Sequence, residues 1–197
     1  MLKRISEIFL SSIALIALLP FFVCIAIAIK LDTSGPVFFK QVRVGLNREY
    51  FSIFKFRTMI QDADKQGLLI SRSLDSRITK IGGFLRRYKL DELPQLINIL
   101  LGQMSFVGPR PEVPKYVEML PELFDITLSV KPGLTDYASV EFIQEASMLE
   151  TSLDAERTYI DEILPCKLRL SESYVRDQCF FVDLKVIAKT LGKIVKG

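Results

Sequence analysis

The amino-acid sequence predicts an α+β fold that is mostly helical, with a small β-hairpin and a long apolar helix at the N-terminus. An uncharged apolar run extends from Ile8 to Ile29. Two short segments rich in β-branched and aromatic residues follow it. Several later stretches repeat apolar residues at intervals of three and four, as helices do. With 197 residues, the chain can form one domain and a membrane anchor.

Composition excludes several kinds of catalysis. The sequence contains no histidine, which rules out Ser-His-Asp and Cys-His catalysis and most zinc sites. Its three scattered cysteines form no CxxC pair, so neither a disulfide framework nor a zinc site is expected. A net charge of +3 is too small to indicate nucleic-acid binding. Proton transfer must use carboxylates, lysine, tyrosine or water, and a metal should be a hard ion such as Mg²⁺.

The apolar run is long enough to cross a bilayer. At about 1.5 Å per residue, Ile8–Ile29 reaches roughly 33 Å, against a hydrocarbon core of about 30 Å. Pro20 lies inside the run, where it removes a helix hydrogen bond and kinks the chain. Basic residues flank both ends, so the positive-inside rule favours the same side for both. A kinked hairpin within one leaflet and an ordinary kinked transmembrane helix both fit these facts.

A β-hairpin is predicted next. Val37–Val44 and Tyr50–Phe56 have the composition of strands, and a turn at Gly45–Asn47 joins them. The polar stretch Gln61–Gln66 predicts a loop or a short helix.

A short helix is predicted at Asp91–Leu101, in the middle of the chain. Its apolar residues share one face: Leu93, Leu96, Ile97 and Leu100. Pro94 is tolerated in the first turn of such a helix. The segment Ser105–Pro111 predicts a rigid loop.

The C-terminal half is predicted to be mainly helical. Helices are expected at Glu112–Leu123 and Leu149–Leu164, with a short extended piece, Leu134–Phe142, between them. A final helix begins at about Asp183 and carries a lysine face opposite an apolar face. Such a helix suits an anionic membrane surface, but a helix packed on the domain with its lysines in solvent has the same pattern.

Asp91 and Glu92 are the candidate chemical centre. Alone, an acidic pair at the start of a helix is typical of an N-cap. Its neighbours favour a phosphate site, because Arg86 lies just upstream and Arg110 just downstream. Helix N-termini and arginines both bind phosphate. Because carboxylates and phosphates repel each other, Mg²⁺ usually bridges them, so the pattern indicates magnesium.

Further residues could join this phosphate site. Lys55, Arg57 and Thr58 lie at the end of the second predicted strand, where they could contact phosphate or simply be surface groups. Pro109 and Pro111 fix the backbone on either side of an arginine, which suits a positioned clamp; a lone motif of this kind would indicate an exposed turn. The sequence has no P-loop and no GxGxxG loop, so these nucleotide-binding folds lose their main support.

Together, these pieces resemble the bacterial sugar transferases, which are small monotopic phosphoglycosyl transferases. LDELPQL followed closely by MSFVGPRP is a highly specific combination, and the resemblance covers nearly the whole chain. The matching segments after the apolar start occur in the family's order: Val37–Gly45, Phe54–Met59, Leu90–Leu96, Met104–Pro111, Lys131–Leu134 and Phe181–Lys185.

The resemblance implies an arrangement in the membrane. Residues 1–30 would be a re-entrant helix broken at Pro20, and residues 31–197 a cytoplasmic catalytic domain with membrane-associated amphipathic helices. The protein would be monotopic in the bacterial inner (plasma) membrane, in contact with its phospholipids, and its catalytic domain would face the cytoplasm. The lipid-facing surface leaves room for a homodimer.

The resemblance also implies a ping-pong reaction. Asp91 would attack the sugar-linked phosphate of a UDP-sugar and expel UMP, and polyprenyl (undecaprenyl) phosphate would then take the phosphosugar. Glu92 would assist through Mg²⁺ or as an acid/base, and Asp183 matches a carboxylate near the metal. Substrate phosphates would be bound by cations and their neighbours: Lys55, Arg57, Thr58, Arg86, Pro109, Arg110 and Pro111.

The chain departs from the family's pattern at several positions. Leu19 replaces a common serine before the proline, and Asp136 replaces the usual glycine. Ile143 and Gln144 stand where an Arg-Asn pair is frequent, in a region expected to contact the nucleotide sugar. Substrate preference therefore stays open. Two rival functions fit the residues: a non-catalytic membrane-bound nucleotide-sugar scaffold and a membrane-bound metal-dependent phosphodiesterase.

Overall fold

A single long helix, α1, runs from Leu2 to Asp32 in the computed structural model of the protein, which describes residues 2–63, 75–149, 152 and 154–196. Its apolar stretch has a mean hydropathy of 2.8, and by length and composition it could cross a membrane. The predicted break at Pro20 is not seen, because the helical backbone continues through it. Packing explains this continuity: Leu18 and Phe22, on either side of the proline, each contact a separate buried cluster.

Both ends of α1 contact the rest of the protein. The Arg4 guanidinium donates to the carbonyls of Ile99 and Leu100 at 2.6 and 2.7 Å. At the other end, Ile29 is buried in the cluster that contains Phe56. In contrast, much of the helix surface between these ends is apolar and exposed. Only 11% of its most hydrophobic 18-residue stretch is buried.

The predicted hairpin is confirmed. Strands β1 (Phe38–Val44) and β2 (Tyr50–Phe56) pair antiparallel over their whole length, from Phe38 opposite Phe56 to Val44 opposite Tyr50. Asn47 takes a left-handed conformation in the connecting turn, with φ of 52°. Of the predicted loop or short helix at Gln61–Gln66, residues 64 to 66 lie outside the described residues.

Helix α2 (Lys80–Arg87) begins at Thr79, whose hydroxyl accepts a hydrogen bond from the Gly82 amide. A Cβ at Gly82 would lie 2.0 Å from the carbonyl oxygen of Thr58, so only glycine allows this close approach. The close approach brings the first turn of α2 to the residues that follow β2.

The helix predicted from Asp91 begins later. Leu90–Glu92 forms a 3₁₀ turn, and helix α3 spans Gln95–Leu101 with Pro94 as its N-cap. A continuous α-helix from Leu90 would need an N–H at Pro94 to bond the Leu90 carbonyl, and proline has none. The acidic pair therefore sits on a separate turn before α3.

The predicted rigid loop Ser105–Pro111 is in part a strand. Strand β3 (Ser105–Val107) pairs parallel with β4 (Gly133–Thr135). Two glycines allow this pairing to continue, because a Cβ at Gly133 would lie 2.0 Å from the amide nitrogen of Gly108. The pairing itself was not predicted, because each strand is only three residues long and the two are distant in the chain. Of the extended piece predicted at Leu134–Phe142, the first two residues belong to β4.

The C-terminal half is helical, as predicted, but its boundaries differ. The predicted extended piece at Leu134–Phe142 is mostly helix α5, and the predicted helix ending at Leu164 continues through a π turn, Tyr159–Ile163, into α8. Residues 150, 151 and 153 of that prediction lie outside the described residues. The helices are α4 (Pro114–Met119), α5 (Tyr137–Glu141), α6 (Glu145–Met148), α7 (Ala155–Thr158), α8 (Leu164–Asp177) and α9 (Phe180–Lys196).

Candidate active site

A cavity of about 820 Å³ lies between the hairpin, the turn before α3, and helices α5, α8 and α9. One end of it gathers ionisable side chains that are far apart in the sequence: Lys55, Arg86, Asp91, Glu92 and Arg110. We call this group the cationic end, because it has three cations and two carboxylates. The fold therefore brings together the acidic pair and three of the predicted phosphate-binding residues.

Asp91 is buried at the cationic end, and its Oδ1 has no hydrogen-bond partner among the described residues. Burial raises the pKa of Asp91, and the charge of Glu92 raises it further, against the opposing effect of Lys55 and Arg86. A buried polar atom without a partner is uncommon and marks a position where a ligand can bind. The carboxylate is therefore available for chemistry in a way that a helix cap would not be.

Glu92 is in the opposite state. It accepts hydrogen bonds from Lys55 Nζ at 2.8 Å and from Arg110 Nη1 at 3.0 Å, and Arg110 Nη2 also contacts it closely. Burial opposes its ionisation, but Arg110 and Lys55 outweigh burial and hold the pKa of Glu92 well below its usual range. Glu92 is thus a permanent anion that fixes two cations beside Asp91.

Arg86 and Thr58 act together at the cationic end. Arg86 Nε donates to Thr58 Oγ1 at 2.8 Å, so the threonine orients the guanidinium. Thr58 itself does not line the cavity. Burial lowers the pKa of Arg86, and Asp91 opposes that effect.

The strand pair β3–β4 holds the backbone around Arg110. The Gly133 amide donates to the carbonyl of Pro109 at 2.9 Å, and the Gly108 amide donates to the carbonyl of Thr135 at 2.9 Å. Pro111 lines the cavity beside Arg110, whereas Pro109 lies behind it. The hydrogen bonds between Gly108–Pro109 and Gly133–Thr135 therefore fix the backbone that carries Arg110.

Two further predicted site residues, besides Thr58 and Pro109, lie outside the cavity. The Arg57 guanidinium donates to the carbonyls of Thr33 and Ser34 at 2.9 and 2.7 Å, and so it ties the end of α1 to β2. Asp183 accepts hydrogen bonds from Tyr174 at 2.7 Å and from Lys3 at 2.9 Å. Neither residue lines the cavity that contains Asp91.

The three predicted magnesium ligands, Asp91, Glu92 and Asp183, are therefore not gathered into one site. Within the part of the chain that the structure describes, no three metal-ligating side chains form a cluster. Glu92 is engaged by two cations, which leaves Asp91 as the one carboxylate of the three with a buried free oxygen. This donor set fits an ion that takes most of its ligands from phosphate and water, as Mg²⁺ commonly does.

A second polar group, which the sequence did not predict, lines another part of the cavity. Arg43 donates to Glu112 at 3.1 Å, and Glu112 also accepts a hydrogen bond from the Tyr159 hydroxyl. Lys167 donates to Tyr159 at 3.2 Å and to Glu145 at 2.7 Å. We call these five residues the polar wall. Glu112 directly follows Pro111, so its place beside a predicted site motif could have indicated a role in the cavity. Nothing in the sequence around Tyr159 or Lys167 indicated such a role.

The structure also places the departures from the family's pattern. Asp136 is fully buried, accepts a hydrogen bond from the Ser139 amide at 2.8 Å and contacts the Ser171 hydroxyl, so it caps α5. Ile143 and Gln144 line the cavity. Leu19 is exposed on α1. Only the departures at 143 and 144 therefore alter the cavity surface.

Comparison with known proteins gives a consistent result. The family described as bacterial sugar transferase matches residues 1–197. A UDP-glucose:undecaprenyl-phosphate glucose-1-phosphate transferase of Escherichia coli (strain K12) is 35% identical over 98% of this chain and 40% of the relative. A UDP-N-acetylgalactosamine-undecaprenyl-phosphate N-acetylgalactosaminephosphotransferase of Aeromonas hydrophila is 31% identical over 100% of this chain and 44% of the relative.

Another relative is closer in length. The exopolysaccharide production protein PSS of Rhizobium leguminosarum bv. phaseoli is 44% identical over 71% of this chain and 73% of the relative. By contrast, the chain spans less than half the length of the Escherichia coli and Aeromonas proteins. The similarity to those two proteins therefore concerns one part of each.

Proposed function

The chain belongs to the bacterial sugar transferase family, and we propose that it transfers a sugar-1-phosphate from a UDP-sugar to polyprenyl (undecaprenyl) phosphate with release of UMP. Relatives named as UDP-glucose and UDP-N-acetylgalactosamine phosphotransferases with undecaprenyl phosphate as acceptor support this reaction. The observation that carries the proposal is Asp91 Oδ1, a buried carboxylate oxygen beside three cations that has no hydrogen-bond partner in the described part of the chain.

In the first half-reaction, an Asp91 carboxylate oxygen attacks the phosphorus that carries the sugar. A P–O bond to Asp91 forms, the bond to the UMP oxygen breaks, and UMP leaves with that electron pair. In the second half-reaction, an oxygen of polyprenyl phosphate attacks the same phosphorus and releases the Asp91 carboxylate. Carboxylate nucleophiles form acyl-phosphates of this kind, and no histidine is needed.

The cations supply what phosphoryl transfer requires most, which is positioning and neutralisation of charge. Lys55 and Arg110 are fixed by Glu92, and Arg86 is fixed by Thr58. We infer that Glu92 acts by holding this pair of cations. Its engagement with both makes direct metal binding or proton transfer by Glu92 a weaker interpretation.

We propose Mg²⁺ as the cofactor, held by Asp91 and by phosphate oxygens of the donor. When bound, the ion would neutralise charge on the phosphates. The residues that fit this role are fewer than the sequence predicted, because Glu92 and Asp183 are engaged elsewhere.

We also propose that α1 is re-entrant without a break of its helical backbone at Pro20, and that both of its ends lie on the cytoplasmic face of the inner membrane. Its support is that the two ends contact one body: Lys3 bonds to Asp183 at 2.9 Å, and the Asp32 carboxylate accepts from the Ile81 amide at 3.0 Å. A helix that crossed the bilayer straight would carry its ends to opposite sides. Exposed apolar residues cover much of the surface between the ends.

The orientation is tested by single cysteines at two ends of the helix, Lys3→Cys and Leu31→Cys, with the native cysteines changed to serine. Both positions should react with a membrane-impermeant thiol reagent only in inside-out vesicles. Reaction from opposite sides would establish a spanning helix.

The reaction is tested with the protein in lipid nanodiscs, Mg²⁺ and a panel of UDP-sugars. We expect UMP release from at least one UDP-sugar, with lipid-linked diphosphosugar formed in the same amount when undecaprenyl phosphate is present. Tight UDP-sugar binding with no turnover on any acceptor would favour a non-catalytic scaffold. Release of water-soluble sugar phosphate without acceptor would favour a phosphodiesterase.

A further inference from the structure

The cavity has a wall with open hydrogen-bonding capacity, away from Asp91. The Ser139 hydroxyl is buried without a partner among the described residues. Glu145 uses one carboxylate oxygen to accept from Lys167, and its side chain is 29% exposed. All three residues line the cavity. A ligand could therefore complete the hydrogen bonds of Ser139, Glu145 and Lys167.

The remaining members of the polar wall fix Lys167 in place. The Tyr159 hydroxyl accepts from Lys167 and donates to Glu112, and Glu112 is itself held by Arg43. Lys167 carries three N–H donors, and two of them have partners, Glu145 and Tyr159. Within the described ranges, the third donor has no partner, and it belongs to a side chain that the other two bonds hold in place.

Tyr159 owes its place to an irregularity of the helix. It begins the π turn that joins α7 to α8, and π turns inside helices occur frequently at functional sites. The turn shifts the register between the two helices. As a result, the Lys167 ammonium lies within hydrogen-bond distance of the Tyr159 hydroxyl.

Charge distinguishes the polar wall from the cationic end. Arg43 and Lys167 are balanced by Glu112 and Glu145, so the wall has no net charge. Lys193 also lines the cavity, but its ammonium donates to the carbonyl of Val140 at 2.7 Å. A neutral wall that offers both donors and acceptors suits an uncharged ligand rich in hydroxyl groups, rather than another phosphate.

The two regions are adjacent. Arg43 Nη1 donates to the carbonyl of Pro111 at 3.1 Å, and Pro111 directly follows Arg110. In a UDP-sugar whose reacting phosphate is at Asp91, the sugar is bonded directly to that phosphate. The uracil ring is separated from it by the second phosphate and the ribose. Of the uncharged parts of the donor, the sugar is therefore the one nearest to the reacting phosphate, and so the one best placed to contact the polar wall.

We infer that Ser139, Glu145 and Lys167 bind the hydroxyl groups of the donor sugar and so determine which sugar is accepted. Tyr159 and Glu112 are positioning residues that hold Lys167 for this contact. This inference rests on the proposed function, because it takes a UDP-sugar as the ligand. It adds the part of the donor that is recognised and the residues that recognise it.

The test compares binding of a UDP-sugar with binding of UDP, which lacks the sugar. Calorimetry uses the accepted sugar nucleotide, chosen among UDP-glucose, UDP-N-acetylglucosamine and UDP-N-acetylgalactosamine, and an Asp91→Asn background to prevent turnover. Ser139→Ala should raise the Kd for the UDP-sugar about five- to tenfold, the effect of one lost hydrogen bond. The Kd for UDP should stay within about twofold, since the phosphates do not contact Ser139.

Two further variants separate contact from position. Lys167→Met should weaken binding of the UDP-sugar more than Ser139→Ala does, and Tyr159→Phe should raise the KM for UMP release in the otherwise native protein while leaving kcat nearly unchanged. Ser173→Ala is the matched control, because Ser173 is exposed on α8 away from the cavity. It should change neither Kd nor KM.

Equal weakening of UDP and UDP-sugar by Ser139→Ala would overturn the inference, because the wall would then act on the phosphates or on the fold. Unchanged binding of every UDP-sugar in Ser139→Ala and Tyr159→Phe would overturn it as well. The proposed function fails separately, if the native protein binds a UDP-sugar but releases no UMP. The difference in binding between UDP and UDP-sugar still decides the inference in that case.

Discussion

The cationic end and the polar wall of the cavity use the same residue types in opposite ways. At the cationic end, Asp91 Oδ1 has no hydrogen-bond partner among the described residues, and three cations outnumber two carboxylates. In the polar wall, charges balance and Tyr159 joins them in a continuous hydrogen bond network. The first arrangement suits a group that reacts with an anion, and the second suits recognition of a neutral one.

The same contrast exists within the acidic pair. Asp91 and Glu92 are neighbours on one 3₁₀ turn, yet the pKa of Asp91 is raised by burial and that of Glu92 is held low, against burial, by Arg110 and Lys55. Two carboxylates with pKa values moved in opposite directions have different functions. Substitution of each residue and changes of pH should therefore separate the two functions.

Asp91→Asn should reduce UMP release by about a thousandfold or more, because the nucleophile is lost. Its free energy of unfolding should be unchanged or higher, since the buried carboxylate is disfavoured where it stands. UMP release and thermal unfolding measure the two effects. Asp161→Asn, at an exposed position on the π turn, is the control. Activity close to that of the native protein in Asp91→Asn would remove Asp91 from the mechanism.

Glu92→Gln should reduce UMP release by about 10- to 100-fold and also destabilise the protein by about 3 kcal/mol. Lys55 and Arg110 would lose their counter-ion while still buried. Chemical denaturation checks the stability and UMP release checks the activity. The two acidic residues would then differ in the sign of their effect on stability. A stable and inactive Glu92→Gln would instead indicate a direct catalytic role.

UMP release should fall at acid pH with an apparent pKa above about 3.9, the value of an ordinary aspartate. The pKa of Asp91 is raised in the folded state, so the reactive carboxylate is lost as pH falls through that raised value. Because Glu92 contributes to the rise, Glu92→Gln should move the acid limb to lower pH. The pH profile of kcat/KM measures the apparent pKa in the native protein and its change in Glu92→Gln. An unmoved limb would show that the two carboxylates are not coupled.

The stability contribution of Glu92 is also lost at acid pH, but over a lower pH range. Its folded pKa is depressed, so the contribution is complete above about pH 4.3, the unfolded value, and disappears as pH falls through the folded pKa. Acid should therefore destabilise the native protein more than it destabilises Glu92→Gln. Denaturation curves at a series of pH values give the free energy of unfolding of the native protein and of Glu92→Gln for this comparison.

Asp136→Gly should have the smallest effect on activity. Asp136 caps α5 and contacts Ser171, so its loss should cost about 1–2 kcal/mol of stability. The KM for the UDP-sugar should change less than twofold, since Asp136 does not line the cavity. A large change in KM with unchanged stability would assign Asp136 to substrate binding.

Local patterns explain which parts of the fold were predictable. The hairpin was predictable because its two strands and its turn lie within one short segment. The β3–β4 pair was not, because Gly108 and Gly133 are far apart in the chain and meet only through tertiary packing. Helix boundaries shifted where proline intervened, as at Pro94 before α3.

The residues of the site also divide into those that local motifs predict and those that only tertiary packing brings to the cavity. Asp91, Glu92 and Arg110 lie in specific motifs, so the sequence predicted them as site residues, and the fold places them together. Arg57 also lies in a matching segment, Phe54–Met59, but its guanidinium ties down α1. Tyr159 lies in no motif, and only the π turn brings it to the cavity. Residues whose role depends on long-range packing cannot be found from local spacing.

The central claim is that Asp91 carries the phosphosugar between two half-reactions. Intact-protein mass spectrometry after incubation with an accepted UDP-sugar, without any polyprenyl phosphate, tests it directly. The native protein should gain the mass of one sugar phosphate, located at Asp91 by peptide mapping, and should lose it when polyprenyl phosphate is added. Turnover that occurs only with both substrates present and leaves no adduct on the protein would contradict the claim.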